Sequence, residues 1–478
     1  MSTTIDIEAT GEAPALGTNR WLLSTAPIVR ALIHLCVPMA AAMIVGAVYN
    51  VINAGFIGSQ HNVSYLAAIT FGTPLLGLVM GIGGMFGAGG GALMSRLLGA
   101  SEHDPAQADE IKHVASFAFW GAVIAGAIFG GVGLLVLQPL VSILGANAAA
   151  VSATRDYVGV FLAFVPVLAA AFCLEQLVRA EGAARQVMTG LIGSTLANVG
   201  FDVIFILLLH WGVAGAALAM GLANLAVVLY FVLWLQRHSE HTSLAPRWFT
   251  LSPAVLKPVF GVGVGELLQS GFLIVTALVS NKLAVNYGDT ALAAMGVAVR
   301  IAQVPEFLVM GITIGVLPLF AYAFGTGNGK RLSGALRASA IAIGGITLVF
   351  SGTLLLFRTD VFAVFSSNQS VLAIGVVVLT AQLVGAMFNG FTGLLTSLFQ
   401  ATGRSVQSIV LSVGQGAAFI PIVLLGNAWF GLAGIIWSLT LSEGIVFLVG
   451  IGMWFASRAT IKRGLSLATP AVAEAGDP

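Results

Sequence analysis

Charge is what this chain has least of. Lysine, arginine, aspartate and glutamate make up 8% of its 478 residues, against about 25% in soluble domains. So few charges cannot cover the water-facing surface of a protein this long. The formal net charge is +1, with no basic patch to neutralise phosphates, which excludes nucleic acid as a partner. There are two cysteines, Cys36 and Cys173, in separate apolar segments. They form no disulfide framework and have no zinc spacing, so they are expected as small buried hydrophobes. No Gly-rich loop carries the Lys-Ser/Thr of a phosphate-binding motif; "GIGGMFGAGGG" (81–91) lacks it and follows no strand. ATP-driven transport is excluded on the same ground. The first 30 residues lack the basic start and apolar run of a secretion signal.

What remains is apolar: 58% hydrophobic, 59 glycines and a mean hydropathy of +0.99. Glycine is more frequent in membrane helices than in soluble ones. About 20 apolar residues cross a bilayer as a helix. Twelve such stretches are present, near 31–57, 65–96, 115–143, 156–178, 186–210, 212–235, 254–284, 290–324, 335–358, 370–399, 405–426 and 430–456. The predicted fold is an all-α membrane protein. In the run 81–91 the small residues permit close helix packing.

Basic residues give the sidedness. Of the 20 lysines and arginines, 16 fall in the tails and alternate connections, and three (Arg155, Lys282, Arg358) in the others; Arg300 lies inside a span. By the positive-inside rule both termini are cytoplasmic. The divisions expected are a flexible cytoplasmic N-terminal tail (1–30), a six-helix lobe (31–235), a cytoplasmic linker (236–253), a second six-helix lobe (254–456) and a cytoplasmic C-terminal tail (457–478). The halves repeat. The segment starting at Leu66 aligns without gaps to that starting at Leu292, sharing Leu-Ala-Ala, Gly89/Gly315, Leu93/Leu319 and Gly99/Gly325. Two pseudo-symmetric six-helix bundles around a central cavity are expected, with the site where they meet.

An acid at mid-bilayer costs at least about 2.5–3.5 kcal/mol. Five fall within spans: Glu175, Asp202, Glu266, Glu306 and Glu443. Asp202 has the strongest functional case. Asn198 and Ser194 share its face at intervals of four, in "STLANVGFDVIFILLLH" (194–210). Span one offers a matching polar stripe in Tyr49, Asn50 and Asn53. Asp202 either loads and releases a proton, or binds Na⁺ with Asn198, Asn53 and Ser194 as oxygen ligands. The alternative is polar glue between spans one and five. Glu266, Arg300, Gln303 and Glu306 are candidates for a substrate cavity in the second lobe, or for a buried Arg300–Glu306 pair that holds span eight at Pro305. Glu175 and Arg179, four apart, suit an interfacial salt bridge. For Glu443 a structural role is favoured.

Several segments resemble the prokaryotic branch of the multidrug and toxic compound extrusion (MATE) family: "YNVINAGFIG" (49–58), "SRLLGA" (95–100), "RAEG" (179–182), "NVGFD" (198–202), "PLFAYAFGTGN" (318–328) and "FQATG" (399–403). The resemblance implies a V-shaped pair of lobes in the bacterial inner membrane. It implies an antiporter, not an enzyme, exporting small amphipathic, often cationic, drugs or toxic metabolites in exchange for H⁺ or Na⁺. No cofactor is implied, the partners are substrate and lipid, and the protein is expected to be monomeric. In part of the family, carboxylates on spans one and five couple transport, which points to Asn53 and Asp202. Here the span-one acid is Asn53, so no carboxylate pair is available there. Some relatives carry an acid deeper in span seven than Glu266, and span ten has none. A lipid or glycan-precursor flippase of the same superfamily is the alternative. An intramembrane aspartyl protease is more remote: "YGD" (287–289) falls in a connection.

Overall fold

The computed structural model describes residues 17–58, 63–144, 150–365 and 368–468. Among them there is no strand, and twelve helices are long and apolar enough to cross a membrane. The first six are α2 (Ile28–Gly58), α3 (Val63–Ala100), α4 (Gln107–Leu135), α6 (Val151–Ala180), α7 (Ala184–Asp202, continued by a π-helical stretch Val203–Leu208) and α8 (Gly212–His238). The second six are α9 (Pro253–Val285), α10 (Asp289–Gly325), α11–α12 (Gly329–Ile346 and Gly352–Leu356, joined by the π stretch Thr347–Ser351), α14 (Gln369–Ala401), α15 (Ser405–Phe430) and α16 (Leu432–Ala468). Short helices α5 (Leu137–Ile143) and α13 (Arg358–Phe365) follow the third span of each half.

The shared glycines of the repeat are where the lobes cross. A Cβ on Gly89 of α3 would lie 2.8 Å from the Val259 carbonyl carbon of α9. Its counterpart, Gly315 of α10, would meet Cys36 Cα and the Leu35 carbonyl of α2 at 2.8 Å. Gly99 and Gly325 meet each other: a Cβ on one approaches Thr326 N at 3.0 Å, and a Cβ on the other approaches Ala100 N at 3.1 Å. Only residues without a side chain let backbones come this close. The run 81–91 also packs as expected, with a Cβ at Gly83 falling 2.6 Å from the Ala169 carbonyl of α6. These crossings lie toward the end of the bundle that carries α1 (Asn19–Ser24) and the connection between the lobes, here termed the basic end.

One expectation changes at that end. Residues 17–30 are not a free tail. Helix α1 (Asn19–Ser24) buries Leu22 and Leu23 at 3% and 1% exposure. The reason is Arg331 of α11, which donates to the carbonyls of Leu23, Ala26 and Leu22 at 2.6, 2.8 and 2.7 Å. Residues 1–16 lie outside the described residues. The connection between the lobes is also stitched down. Ser116 and Trp120 of α4 donate to the carbonyls of Ala245 and Leu244, both at 2.9 Å. Both cysteines are buried and free.

Candidate functional site

Helix α7 places Asn198 and Asp202 one turn apart, at 5% and 1% exposure. The helix changes from α to π immediately after Asp202. A π turn inserts an extra residue and breaks the regular ladder, a feature frequent at functional sites. Helix α2 packs on α7 and brings Tyr49 to Asp202, close enough for their charges to couple; Tyr157 of α6 is coupled to both. Tyr157 is buried at 6% and stacks on Phe161.

The hydrogen bonding here is lopsided. Both carboxylate oxygens of Asp202 are buried with the Tyr49 hydroxyl of α2 within reach, yet no hydrogen bond of full geometry reaches them from any described residue. None reaches Asn198 Oδ1 on α7 or Asn53 Oδ1 on α2 either. Buried acceptors are nearly always satisfied. Buried lone-pair oxygens this short of donors suit a cation, since a proton or Na⁺ is what such oxygens lack. The sequence-predicted Asp202, Asn198, Asn53 and Tyr49 thus lie on two packed helices. Ser194 differs: its hydroxyl donates to the Ala223 carbonyl of α8 at 3.1 Å, tying span five to span six. The side chain of Asn50 lies outside the described residues. Tyr157 was missed by sequence reasoning, because a lone tyrosine on span four gives no periodic or motif signal.

The second set does not form one cluster. Glu266 of α9 accepts from Gln400 Nε2 of α14 at 2.9 Å and lies near the Arg179 guanidinium of the other lobe. Arg179 pairs with Glu175 and donates to Gln176 Oε1 at 3.0 Å. The Glu175–Arg179 pair therefore forms, but not at a water interface: Arg179 is 2% exposed, on a helix packed against α3, α4 and α8 of its own lobe. The expected Arg300–Glu306 pair does not form among the described residues. Both side chains are exposed and neither takes part in a salt bridge; six residues of helix leave them on different faces. Gln303, between them, is half-buried.

At the basic end, Tyr322 of α10 donates to Glu102, which also lies 3.9 Å from Arg20 Nε of α1. The loop acid Glu181 accepts from the hydroxyls of Ser239 and Thr242.

The MatE family model matches the chain twice, over residues 38–204 and 262–424, one match in each half. The multidrug export protein MepA of Staphylococcus aureus (strain NCTC 8325 / PS 47) is 31% identical over 425 residues, covering 89% of this chain and 93% of MepA. MepA of Staphylococcus haemolyticus (strain JCSC1435) is 30% identical over 431 residues, covering 90% and 94%. Among solved structures, a MATE transporter in an outward-facing conformation superposes with a TM-score of 0.84 at 22% identity, covering 93% of this chain and 99% of that one. A MOP-superfamily transporter from Pyrococcus furiosus superposes with a TM-score of 0.83 at 22% identity, covering 94% and 99%; at such identity these two speak for the fold alone. The family model on both halves and the MepA likeness over nearly the full length together place the chain in the MATE family, as a multi-pass membrane transporter and not an enzyme.

Proposed function

We propose that the protein exports small amphipathic, cationic compounds in exchange for H⁺ or Na⁺ taken up at Asp202. The observation that carries this reading is the buried Asp202 carboxylate, one turn from the unsatisfied Asn198 Oδ1 and facing Tyr49 of α2. A carboxylate away from water is costly; no described residue pairs an opposite charge with it, and the neutral Tyr49 hydroxyl beside it offsets only part of the cost. It stays in place if a cation comes and goes. Export is supported by two relatives that are named multidrug export proteins; the exchange for an ion is what the resemblance to the family implies.

The positive-inside rule puts the basic end in the cytoplasm of a bacterium. The lobes then meet on the cytoplasmic side, through Gly99, Gly325 and the Arg179–Glu266 approach, and the opposite ends face outward. In this state Asp202 loads a cation from outside. Binding removes the penalty of the buried charge and lets α2 and α7 repack around the π stretch. The lobes rock, the cation leaves inward, and the next substrate is taken up. The working unit is a monomer, since each chain supplies both lobes.

Proteoliposomes with a pH or a sodium gradient imposed separately test this. Asp202→Asn is expected to abolish gradient-driven export at unchanged membrane expression. Full export by that variant overturns the assignment, and the gradient that drives the wild type names the ion.

A further inference from the structure

The connection between the lobes roofs a groove that the site above leaves unused. Helix α6 is the centre of the N-terminal lobe: α4 and α8 each pack along it, but scarcely on each other. It is chiefly α2 and α3 that meet the other lobe, on α10 and α9. The gap between α4 and α8 therefore lies on the far perimeter and faces the bilayer. Its walls carry exposed apolar stripes, Ile124, Ile128 and Val132 on α4 and Leu229 and Leu233 on α8. At the basic end both stripes run into a cavity of about 410 Å³. Trp120 of α4 and Val232 and Gln236 of α8 line its walls, and Leu244 and Pro246 of the connection form its roof.

Depth and charge at this spot suit a lipid headgroup. Tryptophans such as Trp120 mark the headgroup level of a bilayer. The roof is fixed on α4 at two heights: Trp120 Nε1 donates to the Leu244 carbonyl, and His113 Nδ1 meets the Trp248 carbonyl at 2.8 Å. Two cations collect on the Trp248 ring, with Lys112 Nζ 5.0 Å and Arg247 Cζ 5.5 Å from its centroid. Lys112 is paired with Asp109 at 2.8 Å. Arg247 follows Pro246 of the roof and Arg237 follows Gln236 of the wall. Neither arginine takes part in a salt bridge among the described residues. The other acids on these elements, Glu110 and Glu240, are exposed and do not line the cavity. The Gln236 amide, exposed on the wall, adds two donors. The groove is thus apolar toward the bilayer core and cationic at its water end, a combination that takes anionic headgroups.

We propose that this groove binds a phospholipid with an anionic headgroup, drawn from the leaflet at the basic end. One acyl chain lies between α4 and α8, along Ile124 and Leu233, and the phosphate takes Arg247, Arg237 and the Gln236 amide. Whatever fills a gap that faces the bilayer comes from the bilayer, and the two arginines select a lipid of net negative charge. The roof over this lipid is the chain segment that joins one lobe to the other. A lipid beneath it fastens that segment to the N-terminal lobe, so the occupant sets how freely the connection moves as the lobes rock. None of this depends on the role of Asp202.

Purified full-length protein in detergent, titrated in turn with phosphatidylglycerol, phosphatidylcholine and inorganic phosphate, tests this. The readouts are lipid retained in native mass spectrometry and amide hydrogen exchange over residues 239–250. Phosphatidylglycerol is expected to bind at least tenfold more tightly than phosphatidylcholine and to slow exchange in that segment; phosphate is expected to do neither. Arg237→Gln and Arg247→Gln, at exposed positions, are expected to fold and together to weaken phosphatidylglycerol at least tenfold, leaving phosphatidylcholine unchanged. Val232→Trp fills the cavity and is expected to abolish the slowing with both arginines in place; should it misfold, the arginine pair keeps the test open. Equal binding of the two lipids, or a preference for phosphatidylglycerol that survives the arginine changes, means ordinary surrounding lipid and overturns the site. Retention without slowed exchange overturns the hold on the connection. Slowing by inorganic phosphate alone means a soluble anion and overturns the lipid.

Discussion

Asp202, buried, and Glu175, half-buried, are acids on neighbouring spans of the same lobe, and they keep different company. Glu175 sits against Arg179, which also reaches Gln176 and lies near Glu266 of the opposite lobe. Asp202 has tyrosines at its flanks, the Tyr49 hydroxyl within reach of its carboxylate, and no cation paired with it among the described residues. The first arrangement is closed: charge meets charge, and helices of its own lobe pack around it. The second is open to something that comes from outside the protein. An acid that is satisfied within the fold holds helices together, whereas an acid left unsatisfied is a place for a transported or coupling ion. Ser194 makes the same point in small. It shares the face of Asp202, but its hydroxyl is spoken for by α8, and it belongs with the packing.

The sharpest way to break the comparison is to remove a positive charge from the closed site and a negative one from the open site. Arg179→Leu leaves Glu175 half-buried and unpaired, and strips Glu266 of its neighbour. Breaking one partner out of a buried pair costs about 3–5 kcal/mol. The folded yield of Arg179→Leu and its melting temperature in detergent are expected to collapse. Asp202→Asn replaces an unpaired charge with a neutral amide of the same shape, so its melting temperature is expected to hold or rise while export is lost. If both variants melt alike, the two acids do not differ in kind.

A smaller effect is expected at the basic end, where a closed site is built from a cation and carbonyls rather than an ion pair. Arg331→Met removes three donors to α1. Hydrogen bonds to charged groups contribute about 1.5–3 kcal/mol each and are not additive. A loss of roughly 2 kcal/mol is expected, concentrated in α1, so that amide hydrogen exchange over residues 19–26 quickens more than anywhere else. Exchange that quickens evenly over the chain would show that α1 is held by its leucines alone.

Smaller again is Glu266→Gln. The Gln400 amide still has an oxygen to donate to, and Glu175 remains to pair Arg179. Stability is expected to change by less than about 1 kcal/mol and transport to persist. A loss of transport at unchanged stability would move Glu266 from the closed class to the open one.

Much of this was legible beforehand, for reasons the structure makes concrete. The spans were readable because hydrophobic length is set by the bilayer, and the family because short motifs recur in order. The glycines shared by the two halves were visible as identities. That they mark the inter-lobe crossings was not, since the partner backbone comes from a distant part of the chain. Asp202, Asn198, Asn53 and Tyr49 could be paired because spacing of four on two helices predicts a face. Spacing could not say which hydroxyl or amide was already engaged, and so could not separate Ser194 from Asn198. Arg300 and Glu306 were joined by proximity in sequence, and helical geometry separates them. The folding of residues 19–24 depends on Arg331, about three hundred residues away, and no local pattern announces it.

Glu181 stands between the two classes and sharpens the comparison most finely. It lies outside the spans, just beyond α6, half-buried and partnered among the described residues by neutral hydroxyls, those of Ser239 and Thr242. Burial pushes its carboxyl above the ordinary 4.5, and the two hydroxyl bonds pull it back only in part. The folded protein therefore favours the protonated form more than the unfolded chain does. The stabilisation this brings is fully present below about pH 4.5, the ordinary value, and is lost as pH rises through the higher folded value. Glu181→Gln keeps an acceptor oxygen for the hydroxyls and cannot ionise. It is expected to melt with a flatter pH profile, gaining on the wild type as pH rises, by an amount on the order of 1 kcal/mol. A wild-type profile as flat as that of the variant would mean that Ser239 and Thr242 satisfy the carboxylate as fully as Arg179 satisfies Glu175, and that neutral donors suffice to close such a site.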